Sequence, residues 1–159
     1  MLWISYLTDR KMQIAIDKLE KLLPEIAAYF KNTDQKTLAN KVSEEQWSKK
    51  EILGHLVDSS IHNLVRFTEI NYAAKPYIYR SYNQNDLVKI NQYQSMDSDE
   101  LVLLWVSINR QIVRLFKSVD EKALDYEIKL ADGSTVNLRF LMNDYVAHLE
   151  HHIHQIRNN

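Results

Sequence analysis

A chain of 159 residues with only two glycines and two prolines has little material for tight turns. Such a chain is committed to long, uninterrupted helices. The length suits one domain spanning 1–159, and a single core of that size buries about 70% of the unfolded surface. The apolar share is 45% and the charged share 26%, as in an ordered globular protein. Twenty cationic side chains against twenty-one anionic ones give a net charge of −1. Nucleic acid is therefore not an expected partner, because phosphate binding requires clustered cations. Cysteine is absent, which excludes disulfides, iron–sulfur clusters and thiol catalysis by the chain itself. A metal would need histidine and carboxylate ligands. No apolar run reaches membrane-spanning length. Met1 to Arg10 lacks the basic start and small-residue cleavage site of an export signal. No membrane partner and a cytoplasmic location are the expectations.

Apolar periodicity predicts a first helix from about Leu7 to Phe30, carried by Ile14, Ile16, Leu19, Leu22, Leu23, Ile26 and Ala27. Pro24 would kink or split it. The polar segment Asn32 to Gln46 reads as a connection with at most a short helical turn. Ser48 followed by Glu51 is a capping-box pair, with Trp47 and Ile52 placed to staple the helix start. This second helix should reach about Ala74. Lys75 to Asn85, with Pro76 and three tyrosines, reads as a loop, and Asp86 to Tyr93 as a short helix. Asp97 and Glu100 cap a third long helix, Leu101 to Lys117. Glu127 to Leu130 alternates, Asp132-Gly133 signals a turn, and Thr135-Val136 returns as a strand. A last helix follows from Leu138 to Ile156. The expected fold is all-α, a four-helix bundle with a small β-hairpin before the last helix.

The six histidines are unevenly placed, with four of them between positions 148 and 154. On a helical wheel Tyr145, Val146, Leu149, Ile153 and Ile156 form the buried stripe of the last helix. His148 and His152 fall on its border, and His151 and His154 point away. Two histidines four residues apart have Cβ atoms about 6 Å apart and can share one metal ion. The same spacing arises by chance in a histidine-rich stretch, and the glutamate of the zinc-protease motif is missing. On the second helix Ile52, Leu53, Leu56, Val57, Ile61, Leu64 and Phe67 form the apolar arc. His55, Asp58, Ser59, His62, Arg66 and Glu69 share the polar one. That polar arc is either solvated surface or the wall of a cleft.

The stretch Trp47-Ser48-Lys49-Lys50-Glu51-Ile52-Leu53-Gly54-His55-Leu56-Val57-Asp58-Ser59 resembles the second-helix motif of the DinB-like superfamily. Asp144-Tyr145-Val146-Ala147-His148-Leu149-Glu150-His151-His152 resembles its last-helix motif. The resemblance runs over nearly the whole chain. It implies a four-helix bundle in which His55, His148 and His152 hold a divalent metal. It also implies activities like those of relatives that are thiol-dependent transferases, a maleylpyruvate isomerase or metal-dependent hydrolases. One departure is Ser60, where a branch of the family carries a further histidine.

Three imidazoles would leave an open coordination position on zinc or nickel. Such a site could generate hydroxide for hydrolysis or hold a low-molecular-weight thiol for transfer to a small-molecule substrate. No catalytic acid or base stands out, so a non-catalytic ligand-binding module is the alternative. Asp58, one turn after His55, and Asp144, one turn before His148, could orient imidazoles or be solvent-exposed acids. Arg66 could bind an anionic substrate group or pair with Glu69. His62 lies about 10 Å along the helix from His55, too far to join the same metal. Tyr77, Tyr79 and Tyr82 could roof a cleft or cover a core edge. Trp47 and Trp105 read as core, and the aromatic loops together with the family resemblance suggest a homodimer.

Overall fold

The computed structural model describes residues 2–158, and side chains from residue 12 onward. The side chains of Met1 to Arg10, on which the reading against an export signal rested, lie outside the described residues. Helix α1 spans Leu2–Lys31, with Pro24 inside it and no break in the helix. Its buried residues Met12, Ala15, Ile16, Leu19, Leu22, Leu23, Ile26 and Phe30 recur every three or four positions. Ile14 was expected in this stripe and is 47% exposed, because it sits about 160° around the helix from Ile16.

The connection after α1 holds a short helix α2, Gln35–Ala39. It is capped by Asp34, whose carboxylate accepts from the Thr37 backbone N–H and hydroxyl. It buries Leu38 completely. Helix α3, Lys49–Glu69, starts at the expected capping box: Ser48 Oγ accepts from Glu51 N at 3.1 Å and Glu51 Oε2 from Ser48 N at 2.8 Å. It ends before the expected Ala74. The Asn71 amide takes the Phe67 carbonyl, Lys75 takes the Ile70 and Ala73 carbonyls, and the chain turns into a strand.

That strand is the main addition to the expected architecture. Tyr77–Ile78 (β1), in the segment read as a loop, pairs in parallel with Glu127–Lys129 (β2). Thr135–Asn137 (β3) pairs antiparallel with β2, completing the expected hairpin in a sheet of order β1-β2-β3. Two consecutive residues give no alternation to read, so β1 has no sequence signature. Helix α4 is Gln84–Ile90, capped by Asn83, and α5 is Ser98–Ser118, capped by Asp97. A 3-10 turn at Glu121–Asp125 leads to the hairpin, and α6 runs Leu138–Asn158.

The four long helices α1, α3, α5 and α6 form a bundle with the small sheet at one end. Helices α1 and α3 each pack on both α5 and α6, so α3 and α6 are neighbours. The core includes Trp105, fully buried as expected, and the ring set Phe67, Phe116 and Tyr145. No helix among the described residues is long and apolar enough to cross a membrane.

Helix α3 is buried on both faces. Lys49, Lys50, His55, Asp58, Ser59, Ser60, Asn63 and Arg66 are all buried together with its apolar residues. Conversely Ile61, placed in the apolar arc by the wheel, is 43% exposed. The polar arc is thus covered by α6 and by the 79–93 segment. Gly54 lets that segment approach: a Cβ there would lie 2.2 Å from Tyr93 Cγ.

Candidate metal centre

Three histidines converge where α3 meets α6. His55 projects from the second turn of α3, and His148 and His152 from adjacent turns of α6. One ligand nitrogen from each lies within 4.8 Å of the others. His55 Nε2 and His148 Nε2 are 3.2 Å apart. Nitrogens bound about 2.05 Å from a common tetrahedral zinc would stand about 3.3 Å apart. The ring centroids of His55 lie 5.2 Å from His148 and 4.7 Å from His152, and those of His148 and His152 lie 4.6 Å apart.

The electrostatics favour neutral imidazoles, the form that donates a lone pair. Burial, followed by the neighbouring His152 and His148, pushes His55 down to about 3. Burial, then His152 and His151, pushes His148 down to about 4. Burial also lowers His152, partly opposed by Gln155. His152 Nδ1 donates to Gln155 Oε1 at 2.7 Å, which leaves its Nε2 lone pair free. Ser59 Oγ stands 3.5 Å from His148 Nδ1. The indole of Trp47 lies over the His55 ring at 5.1 Å, so this partly buried residue covers the site instead of serving only the core. This donor set of neutral nitrogens, without a carboxylate, fits zinc or nickel better than a hard cation.

Of the two candidate supporting carboxylates, Asp144 takes the solvent-exposed place that was one expectation, and Asp58 takes neither. Asp58 is neither exposed nor bonded to an imidazole. Its Oδ1 accepts from Tyr93 Oη at 2.7 Å and Asn91 Nδ2 at 2.8 Å, and burial raises its pKa against those bonds. It anchors the α4–α5 connection, a partner that no local pattern along α3 reveals. Asp144 is exposed and makes no bond to His148, where Ser59 stands instead. Gln155 and Ser59 are the site residues that sequence reasoning missed. Their signal was available, since Gln155 is three positions after His152 and Ser59 four after His55.

Arg66 is buried and is not paired with Glu69, whose carboxylate accepts from Tyr77 Oη at 2.7 Å. The Arg66 guanidinium donates to the Arg80 carbonyl and Asn63 Oδ1, and lies 4.0 Å from the Tyr79 ring centroid. Tyr82 stacks on His62 at 4.1 Å. Tyr79 and Tyr82 therefore brace the covering segment, while Tyr77 belongs to the sheet. Ser60 faces away from the triad into a closed network: its Oγ lies 2.9 Å from Tyr145 Oη and 2.9 Å from Asn109 Nδ2, and Tyr145 Oη donates to Asn109 Oδ1 at 2.6 Å.

Comparison with known proteins agrees with this architecture. The DinB superfamily model matches residues 15–156. A provisionally named metal-dependent hydrolase of Bacillus mycoides (strain KBAB4) is 23% identical over 94% of this chain and 86% of its own. One from Bacillus cereus (strain AH820) is 24% identical over 92% and 83%. Among solved structures, YfiT from Bacillus subtilis is described as a probable metal-dependent hydrolase with an unusual four-helix bundle topology. It superposes with a TM-score of 0.78 at 18% identity, over 95% of this chain and 84% of that one. A mycothiol-dependent maleylpyruvate isomerase superposes at 0.63 and 14% identity, over 89% of this chain and 59% of that longer one. At these identities the solved structures speak for the fold, while the family match, spanning nearly the whole sequence, makes this chain a member of the DinB superfamily.

Proposed function

We propose that His55, His148 and His152 hold one divalent cation, zinc or nickel, and that the protein is an enzyme using it on a small molecule. The observation that carries this reading is the convergence of three neutral imidazole nitrogens within 4.8 Å, from two helices that are distant in sequence. The cation would supply Lewis acidity, making a water or a small thiol acidic enough to serve as a nucleophile near neutral pH. The relatives named as hydrolases and the thiol-dependent isomerase of the same fold support these two chemistries, hydrolysis and thiol transfer.

The chain's own contribution is positional. Gln155 fixes the tautomer and orientation of His152 through its Nδ1. Trp47 covers His55 and keeps bulk water from its ring. The absence of cysteine means that any thiol nucleophile must come from the substrate side. Metal content after purification in zinc- or nickel-supplemented medium tests the assignment. Near one equivalent is expected in the native protein and far less in His148→Ala; unchanged content in that variant refutes the triad. Turnover of a generic electrophile with and without added thiol then separates transfer from hydrolysis, and saturable ligand binding without turnover would make the protein a binding module.

A further inference from the structure

The approach to the triad has a chemical character of its own. A cleft of about 420 Å³ opens onto His152 between the 45–47 segment, the start of α4 and the end of α6. Its polar lining is carboxamide and carboxylate: Gln46, Gln84, Asn85 and Gln155, with Glu45 the only charged side chain. Gln155 is committed to His152 and His151, whereas no side-chain hydrogen bond engages Gln46, Gln84 or Asn85 among the described residues. A second groove shares Glu45, Trp47 and Asn85 and adds Glu44, Glu51, Lys41 and Lys89 to its charges. Lys41 is spent on Glu51 at 3.1 Å. Across both grooves the carboxylates outnumber the ammonium groups. Glu45 is exposed, and its own backbone N–H and the Ser43 hydroxyl hold its carboxyl below the usual carboxylate value.

From this lining we infer that the cleft selects a polar substrate carrying a protonated amine beside the group that reaches the metal, and disfavours carboxylate-bearing ones, with Glu45 as the specificity-determining residue. The inference rests on the triad being the metal site. A cation entering beside Glu45 gains its attraction, and an anion meets repulsion with no described arginine or lysine on the His152 cleft to relieve it. The free amides serve hydrogen bonding and accept either charge.

The test uses cobalt-loaded full-length protein and two thiols of the same length, cysteamine and 3-mercaptopropionate, with 2-mercaptoethanol as the uncharged reference. Binding is read from the sulfur-to-cobalt absorption band. The two thiols differ in intrinsic acidity, so the diagnostic is how their affinity ratio changes between proteins. Glu45→Gln should weaken cysteamine about threefold and strengthen 3-mercaptopropionate about threefold, moving the ratio about tenfold, as one partly screened charge at this range allows. Glu45→Lys should move it further in the same direction. An unchanged ratio in both variants, with the band intact, overturns the inference and leaves the metal reading standing. Cobalt bound with no band for any of the three thiols overturns this inference and leaves the metal reading standing, whereas no cobalt bound overturns the metal reading and this inference with it.

Discussion

Gly54→Ala is a small change with a calculable conflict. The new Cβ would sit 2.2 Å from both Cγ and Cδ2 of Tyr93 and 2.5 Å from its Cβ. These atoms are the root of the side chain, so rotating the ring cannot clear them and the backbone around Tyr93 must retreat. That retreat pulls on the Tyr93–Asp58 hydrogen bond of 2.7 Å and on a ring that is 5% exposed. Overpacking of this kind costs up to about 3 kcal/mol. Alanine in a helix interior recovers about 1 kcal/mol relative to glycine. The net expectation is a loss of about 2 kcal/mol, or about 4–8 °C in Tm for a domain of this size. The assay is urea unfolding of the native protein, Gly54→Ala, Tyr93→Ala and the double variant. Tyr93→Ala alone should cost about 3–5 kcal/mol by removing a buried aromatic ring. In its background Gly54→Ala should cost clearly less, because the contacts with Cγ and Cδ2 are gone and only the 2.5 Å approach to the retained Cβ of residue 93 remains. Equal destabilisation by Gly54→Ala in both backgrounds would refute the steric account, since the coupling between the two positions would then be zero.

Other consequences can be measured as directly. Burial, then the neighbouring histidines, hold folded His55 at about 3 and His148 at about 4, against about 6.5 for an ordinary histidine. Metal-free protein therefore keeps its full stability above pH 6.5. Below it the unfolded chain takes up protons that the folded one refuses, and stability falls until the folded groups protonate near 4 and 3. The loss is about 2 kcal/mol per histidine at pH 5. Urea midpoints of chelated protein at pH 7 and 5 should converge in a His55→Gln/His148→Gln variant, and an equally steep fall in that variant would contradict the assignment. Gln155→Leu should weaken zinc binding about 10–100-fold in a chelator competition while leaving the unfolding midpoint of metal-free protein nearly unchanged. Asn109→Leu removes one buried hydrogen bond each from Ser60 and Tyr145, which keep their bond to each other, and should cost about 1–3 kcal/mol in denaturant unfolding with metal content preserved. Arg66→Met should cost stability by releasing the Arg80 carbonyl and the Tyr79 stack, and a purely kinetic effect on turnover without loss of stability would restore Arg66 as a substrate contact.

The pattern of turn residues, capping pairs and apolar spacing settled the elements. With two glycines and two prolines the long helices follow, and Ser48 with Glu51 marks the start of α3 to the residue. These signals act within a turn of helix, so they can be read locally. The histidine spacing on α6 was also legible, because a wheel shows which of four neighbouring imidazoles share a face. The same wheel failed for α3. It separates apolar from polar arcs but cannot say what covers the polar one, and here α6 and the 79–93 segment bury it. Asp58 and Arg66 thereby became internal struts, and Asp144 stayed at the surface. The strand β1 depends on a partner 51 positions away, Tyr77 pairing with Ile128, and the Trp47 cover over His55 on the path of the chain before α3. Chain order alone determined which groups could act together along one helix. Only the packing of α3 against α6 decided that a lone imidazole at position 55 meets the pair at 148 and 152, because side-chain convergence between distant segments is a property of the bundle's arrangement and leaves no trace in either segment by itself.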